Sequence, residues 1–227
     1  MLKMKEKYSD EGLLENYNRF IEFVKKVFQD NPNRLEKLLT MYGEGELGEE
    51  LLMAPASGSV HFHSAYPGGY IDHVMNVCKN TYRLKKMFEE EGGNITFTNE
   101  ELFFAALHHD LGKLGKPDNP YYVEQDSQWH REKRGQAYKR NPELHYMDVT
   151  HRALWMLNQY GITYSEEEML GIMLADGLFN EATKQYFINY TEGGFLKTEL
   201  PYILHLADLM STRIELGQYN TWLEENQ

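Results

Sequence analysis

The stretch TNEELFFAALHHDLGK (residues 98–113) decides the reading of the fold. Thr98 followed three residues later by Glu101 makes a capping box, the local signature of a helix start. Leu102, Phe103 and Leu107 then supply helical apolar spacing, and Gly112 is the natural stop. The helix so predicted carries His109 and Asp110 near its end. Adjacent side chains on a helix point about 100° apart. This pair can therefore grip one cation only if other helices contribute further ligands.

The chain offers such ligands. His73 lies 36 positions upstream of His109 in GGYIDHVMNV, and Asp208 lies 98 positions downstream of Asp110 in LPYILHLADLMSTRIE. Each of these four residues sits in an otherwise apolar helical context, where an unpartnered charge is expensive. Two imidazoles and two carboxylates suit a hard or borderline divalent metal and leave coordination positions open.

Working outward, Ser9 or Asp10 can cap a first helix with Leu13, Leu14, Tyr17, Phe20, Ile21, Val24, Val27 and Phe28 along one stripe. Asn31-Pro32 restarts a short helix that ends near Gly43. Residues 43–69 are rich in Gly and Pro and read as loop, with a helical turn or two at ELGEELLM. A helix runs from Gly69 to about Glu91, where Gly92-Gly93 stops it. Residues 112–141 are polar, aromatic and turn-rich. Asp148 can cap a helix with Ala153, Leu154 and Leu157 inward, ending at Gly161. Ser165 and Glu168 form a second capping box for a helix that stops at Gly177. Residues 177–197 read as a long excursion. A last helix starts at about Thr198, with Pro201 tolerable in its first turn. Strand-like alternation is confined to the neighbourhood of Ile95–Thr98. The expectation is an all-α, single-domain bundle of about six or seven main helices, with N-terminal helices (1–50) packing on a core domain (51–227).

Composition bounds the function. The 227 residues carry 35 acidic and 23 basic side chains, a net charge of −12, which opposes non-specific binding to a phosphate backbone. The single cysteine, Cys78, permits no internal disulfide and suits a reducing cytoplasm. Among apolar helical neighbours it reads as a small core residue. Nothing approaches a membrane span or a signal peptide. The one reversal of charge is 113–140, with seven cations (Lys113, Lys116, Arg131, Lys133, Arg134, Lys139, Arg140) against four acids. Tyr121, Tyr122, Trp129 and Tyr138 are interleaved. Such a loop either holds a nucleotide-like phosphate over the metal or is a solvated loop packed by its own aromatics. Its modest excess suits a compact phosphate better than a long nucleic acid. The amphipathic N-terminal helix either caps the core or pairs with another subunit, which leaves a homo-oligomer open.

With these residues in view, the chain resembles the HD superfamily of metal-dependent phosphohydrolases over about residues 52–215. The pattern H … HD … D is met by His73, His109, Asp110 and Asp208. The stretch APASGSVHFHSAYPGGYIDH (54–73) is similar to the entry segment of the HD domain in bacterial 3′–5′ exoribonucleases, with His63, Gly68, Gly69 and His73 at the matching places. The resemblance implies an HD-domain bundle and a phosphohydrolase with one divalent ion per chain (Mn, Fe, Mg, Ni, Co or Zn). That enzyme would act on a nucleotide or related phosphate ester through a metal-activated water. Asp110 and Lys113 would be the catalytic pair, and His63, Arg131, Lys133 and Arg134 the substrate-facing groups. Many members hold a second metal through two further histidines. His151 could supply one, but the other place is Ala175, with Asp176 one position off. His151 and Asp176 are therefore expected as supporting or second-metal groups, and one metal is favoured. Alternatives are an exoribonuclease-like phosphodiesterase on RNA ends, an HD-fold diiron oxygenase and a non-catalytic HD sensor module.

Overall fold

The structure is a computed structural model and describes residues 8–225. It is all-α, with ten α-helices and two very small antiparallel sheets among the described residues. In chain order the helices are α1 (Asp10–Val27), α2 (Pro32–Met41), α3 (Gly48–Met53), α4 (Gly69–Glu90) and α5 (Asn99–His108), then α6 (Gln128–Arg134), α7 (Val149–Gln159), α8 (Glu166–Met173), α9 (Glu181–Ile188) and α10 (Leu200–Glu225). Strands β1 (Gly115–Lys116) and β2 (Asn119–Pro120) form one ladder; β3 (Tyr122–Glu124) and β4 (Tyr138–Arg140) form the other. None of these helices is long and apolar enough to cross a membrane.

The helix count exceeds the expected six or seven by the short elements α3, α6 and α9. The first falls where a turn or two was expected. The other two arise in stretches read as loop. α6 buries no side chain and α9 buries only Thr183 and Phe187, so neither writes an apolar stripe into the sequence.

The chain divides into two compact units of interleaved segments. Among the described residues the first comprises 8–75, 113–147 and 212–225, and the second 76–112 and 148–211. Helices α1–α3 thus share a unit with the 113–147 excursion and the end of α10.

In the first unit, Ser9 caps α1 through a bond from the Gly12 amide (3.2 Å). α1 buries Leu13, Phe20 and Val24, and Phe28 follows at its C-cap. Phe20 meets Tyr42 edge-on at 5.0 Å, and the Tyr17 hydroxyl donates to the Tyr42 carbonyl at 2.7 Å. The centre of the apolar stripe of α1 is therefore buried within its own unit, while Leu14 of that stripe is exposed. α1 is also tied to the start of α4. Asn16 donates to the Gly68 carbonyl (3.3 Å), and Arg19 and the Tyr8 hydroxyl reach Asp72 (3.3 and 2.8 Å).

In the second unit, α5 packs on α8 and α8 on α7. Leu102, Phe104, Ala105, Leu107, Met156, Leu157, Ile172, Leu200, Ile203 and Leu204 form its core. Both expected capping boxes are present, at Thr98/Glu101 and Ser165/Glu168. Asp148 stands at the N-cap position of α7 without a side-chain capping bond; it pairs with His151 instead. α8 ends at Met173, before the expected Gly177. A 3-10 turn (Gly177–Phe179) follows, clasped by His205, whose Nδ1 donates to the Ala175 carbonyl (3.0 Å). Cys78 is fully buried, and burial pushes its thiol well above the ordinary range. It is an inert core residue.

Candidate metal centre

The His-Asp pair does not lie inside a helix as the sequence suggests. α5 ends at His108, His109 is its C-cap, and Leu111–Lys113 forms a 3-10 turn. Gly112 is not a left-handed stop either. A Cβ there would overlap the Val149 carbonyl oxygen, so glycine is required by close approach to the first turn of α7. That contact holds the chain just beyond Asp110.

Both histidines turn back onto α5. His108 Nδ1 meets the Phe104 carbonyl at 2.6 Å and His109 Nδ1 meets the Ala106 carbonyl at 2.8 Å. A carbonyl can only accept, so each Nδ1 carries a proton. In a neutral His109 ring, Nε2 is then a lone pair. That nitrogen lies 3.6 Å from Asp110 Oδ2 and 3.9 Å from Asp208 Oδ1. These separations are too long for direct hydrogen bonds. They match the edges of a coordination shell: bonds of about 2.0–2.2 Å place neighbouring ligand atoms about 3–4 Å apart. A lone pair facing two carboxylate oxygens is repulsive until a cation stands among them. His109 is 2% exposed and Asp208 24%, so the corner is walled on the histidine side and open toward Asp208. The donor set fits a divalent ion.

A second histidine-carboxylate arrangement lies in the first unit. Gly68 adopts φ +78°, and a Cβ on Gly69 would overlap the Ser64 carbonyl, so this Gly-Gly turn lets residues 63–64 fold against the start of α4. His73, buried on α4, points Nδ1 at Glu215 Oε2 (3.1 Å) on α10. The Ser64 hydroxyl donates to the same oxygen at 3.1 Å. The His63 ring lies 4.4 Å from that of His73, and ligand-type atoms of His63, His73 and Glu215 lie within 4.8 Å of one another. Beside them, Asp72 accepts from Tyr66 (2.9 Å) and Tyr8; burial, then the Asp72 charge, pushes both phenols above their ordinary range. Sequence reasoning missed Glu215. A signal existed: it lies seven residues beyond Asp208, two helical turns on and about 20° off the same face.

The remaining candidates are dispersed. His151 is 64% exposed on α7, with Nδ1 3.4 Å from Asp148. Asp176 is exposed and Ala175 buried. Lys113 is half-buried at the end of the 3-10 turn directly after Asp110.

Arg131, Lys133 and Arg134 are exposed on α6. Arg131 donates to the Gln125 carbonyl, and Arg134 lies 5.5 Å over the Trp129 ring. Lys139 pairs with Asp126 (2.7 Å), and Arg140 sits between Tyr146 (4.3 Å) and Tyr121 (5.5 Å). Most of this loop's cations are thus engaged by its own aromatics, acids and carbonyls. The loop is sewn to the His63 segment by Val60 N–H to Gly135 O (2.9 Å) and Tyr138 N–H to Gly58 O (3.0 Å). His63 and the α6 cations therefore belong to one packed assembly.

Comparison with known proteins adds no assignment: no family model, no curated protein and no solved structure matches this chain.

Proposed function

We propose that this chain is an HD-type metal-dependent phosphohydrolase acting on a nucleotide or a related phosphate ester. The observation that carries the reading is the His109 corner. A ring nitrogen whose tautomer is fixed by the Ala106 carbonyl faces two carboxylate oxygens at coordination-edge distances. His109, Asp110 and Asp208 would hold one divalent ion, with His73 as fourth ligand on the strength of the H … HD … D order. The ion would supply Lewis acidity, lowering the pKa of water and polarising a phosphoryl oxygen.

The protein side of the chemistry follows from residue type and place. Asp110 would be both ligand and acceptor for a proton of the attacking water. Lys113, the last residue of the 3-10 turn, would offset charge gathering on the phosphate. His63, Arg131, Lys133 and Arg134 would bind the substrate, in keeping with the packing of the α6 loop on the His63 segment. One ion per chain is favoured because Ala175 offers no ligand and His151 is turned to Asp148.

The test is hydrolysis of a panel of nucleotides and phosphate esters by protein loaded in turn with Mn, Fe, Mg, Ni, Co and Zn. Metal-dependent turnover lost in Asp110→Ala is expected. Full activity in that variant would defeat the reading.

A further inference from the structure

Resting on that metal reading, we infer that Glu215 is a positioning residue for His73, and that Ser64 holds Glu215 in place. His73 is 1% and Glu215 4% exposed at the side chain. A carboxylate so deeply buried must be hydrogen-bonded to be tolerated. Its Oε2 takes the Ser64 hydroxyl at 3.1 Å and faces His73 Nδ1 at 3.1 Å. An ionised carboxylate only accepts, so the proton of that bond sits on Nδ1. Nε2 is then the lone-pair nitrogen, the tautomer a metal requires. Carboxylate–histidine–metal arrangements work in this way: the outer carboxylate fixes ring rotation and makes the imidazole a better donor.

Ser64 is itself placed by backbone geometry. Its φ is +47°, its carbonyl lies against Gly69, and its hydroxyl lies 3.5 Å from the Tyr66 hydroxyl. The chain Tyr66–Ser64–Glu215–His73 thus runs from the Gly-Gly turn to the imidazole. Asp208 and Glu215 leave α10 from nearly one face, seven residues apart. One helix would in this way provide both a ligand and the group that orients another.

The test uses the full-length protein and Mn²⁺ and Zn²⁺ titrations of wild type, E215Q, E215A, H73Q and H73Q/E215A. Circular dichroism and melting certify that each variant is folded. E215A is expected to bind about 10–100-fold more weakly than wild type. E215Q, which keeps an acceptor oxygen, should fall between and covers the case in which E215A does not fold. In H73Q the further change E215A should cost nothing more. Long-range ¹H–¹⁵N spectra of the apo protein should report the Nδ1–H tautomer of His73 in wild type and a mixture in E215A or E215Q. Wild-type affinity and tautomer in the Glu215 variants would overturn the positioning role and leave the metal reading standing. Additive losses from H73Q and E215A would overturn it in favour of direct ligation by Glu215. A wild-type protein that binds neither ion would overturn both.

Discussion

His109 Nε2 faces Asp208 Oδ1 across 3.9 Å, joining the C-cap of α5 to the third turn of α10. The separation is too wide for a hydrogen bond and right for two ligands of one ion. Asp208→Asn keeps the volume and removes the charge. The variant should stay folded and lose more divalent-ion affinity than the about 10–100-fold that follows loss of an outer partner. Calorimetric titration checks this, and undiminished binding would count against Asp208 as a ligand.

Gly112 makes a second test, on stability. Its Cα lies so close to the Val149 carbonyl that a methyl group has no room. Gly112→Ala should destabilise the protein by about 1–3 kcal/mol, the usual cost of overpacking. It should also weaken metal binding, because Asp110 lies two residues away. Denaturant unfolding of the apo protein separates the two effects.

Glu50 offers a pH-dependent test. Burial raises its carboxyl above the ordinary range, against the opposing pull of a bond from the Asp118 amide. A raised acid favours the folded state most fully when protonated. That contribution is present below the ordinary glutamate range and is lost as pH rises through the raised value. Glu50→Gln keeps an acceptor and carries no charge. Its melting temperature should exceed that of wild type at neutral pH, and the gap should close as pH falls below the ordinary glutamate range. A gap independent of pH would show that the charge is not the cause.

What was legible in the sequence follows the range of the interactions involved. The starts of α1, α2, α5 and α8 are readable because Ser9, Asn31, Thr98 and Ser165 each accept from the amide three residues on, a local chemistry. α6 and α9 are not, because they bury almost nothing. Gly112 invited the wrong explanation: its need for glycine comes from Val149, distant in sequence. The H … HD … D order proposes His73, His109, Asp110 and Asp208 as one ligand set, and the structure sets His109 Nε2 3.6 Å from an Asp110 oxygen and 3.9 Å from an Asp208 oxygen. The carboxylate behind His73 was overlooked, although its spacing from Asp208 was available. The joining of 113–147 to the N-terminal helices is set by long-range contacts, and the change of charge over 113–140 does not say where that segment packs.

The central claim is that the His109–Asp110–Asp208 corner holds a cation. Elemental analysis of the purified protein, reconstituted with each candidate divalent metal and freed of excess, tests it most directly. The account predicts one tightly held ion per chain, absent from folded His109→Ala and Asp110→Ala proteins. A wild-type chain that retains no divalent ion, or variants that retain as much as wild type, would contradict it.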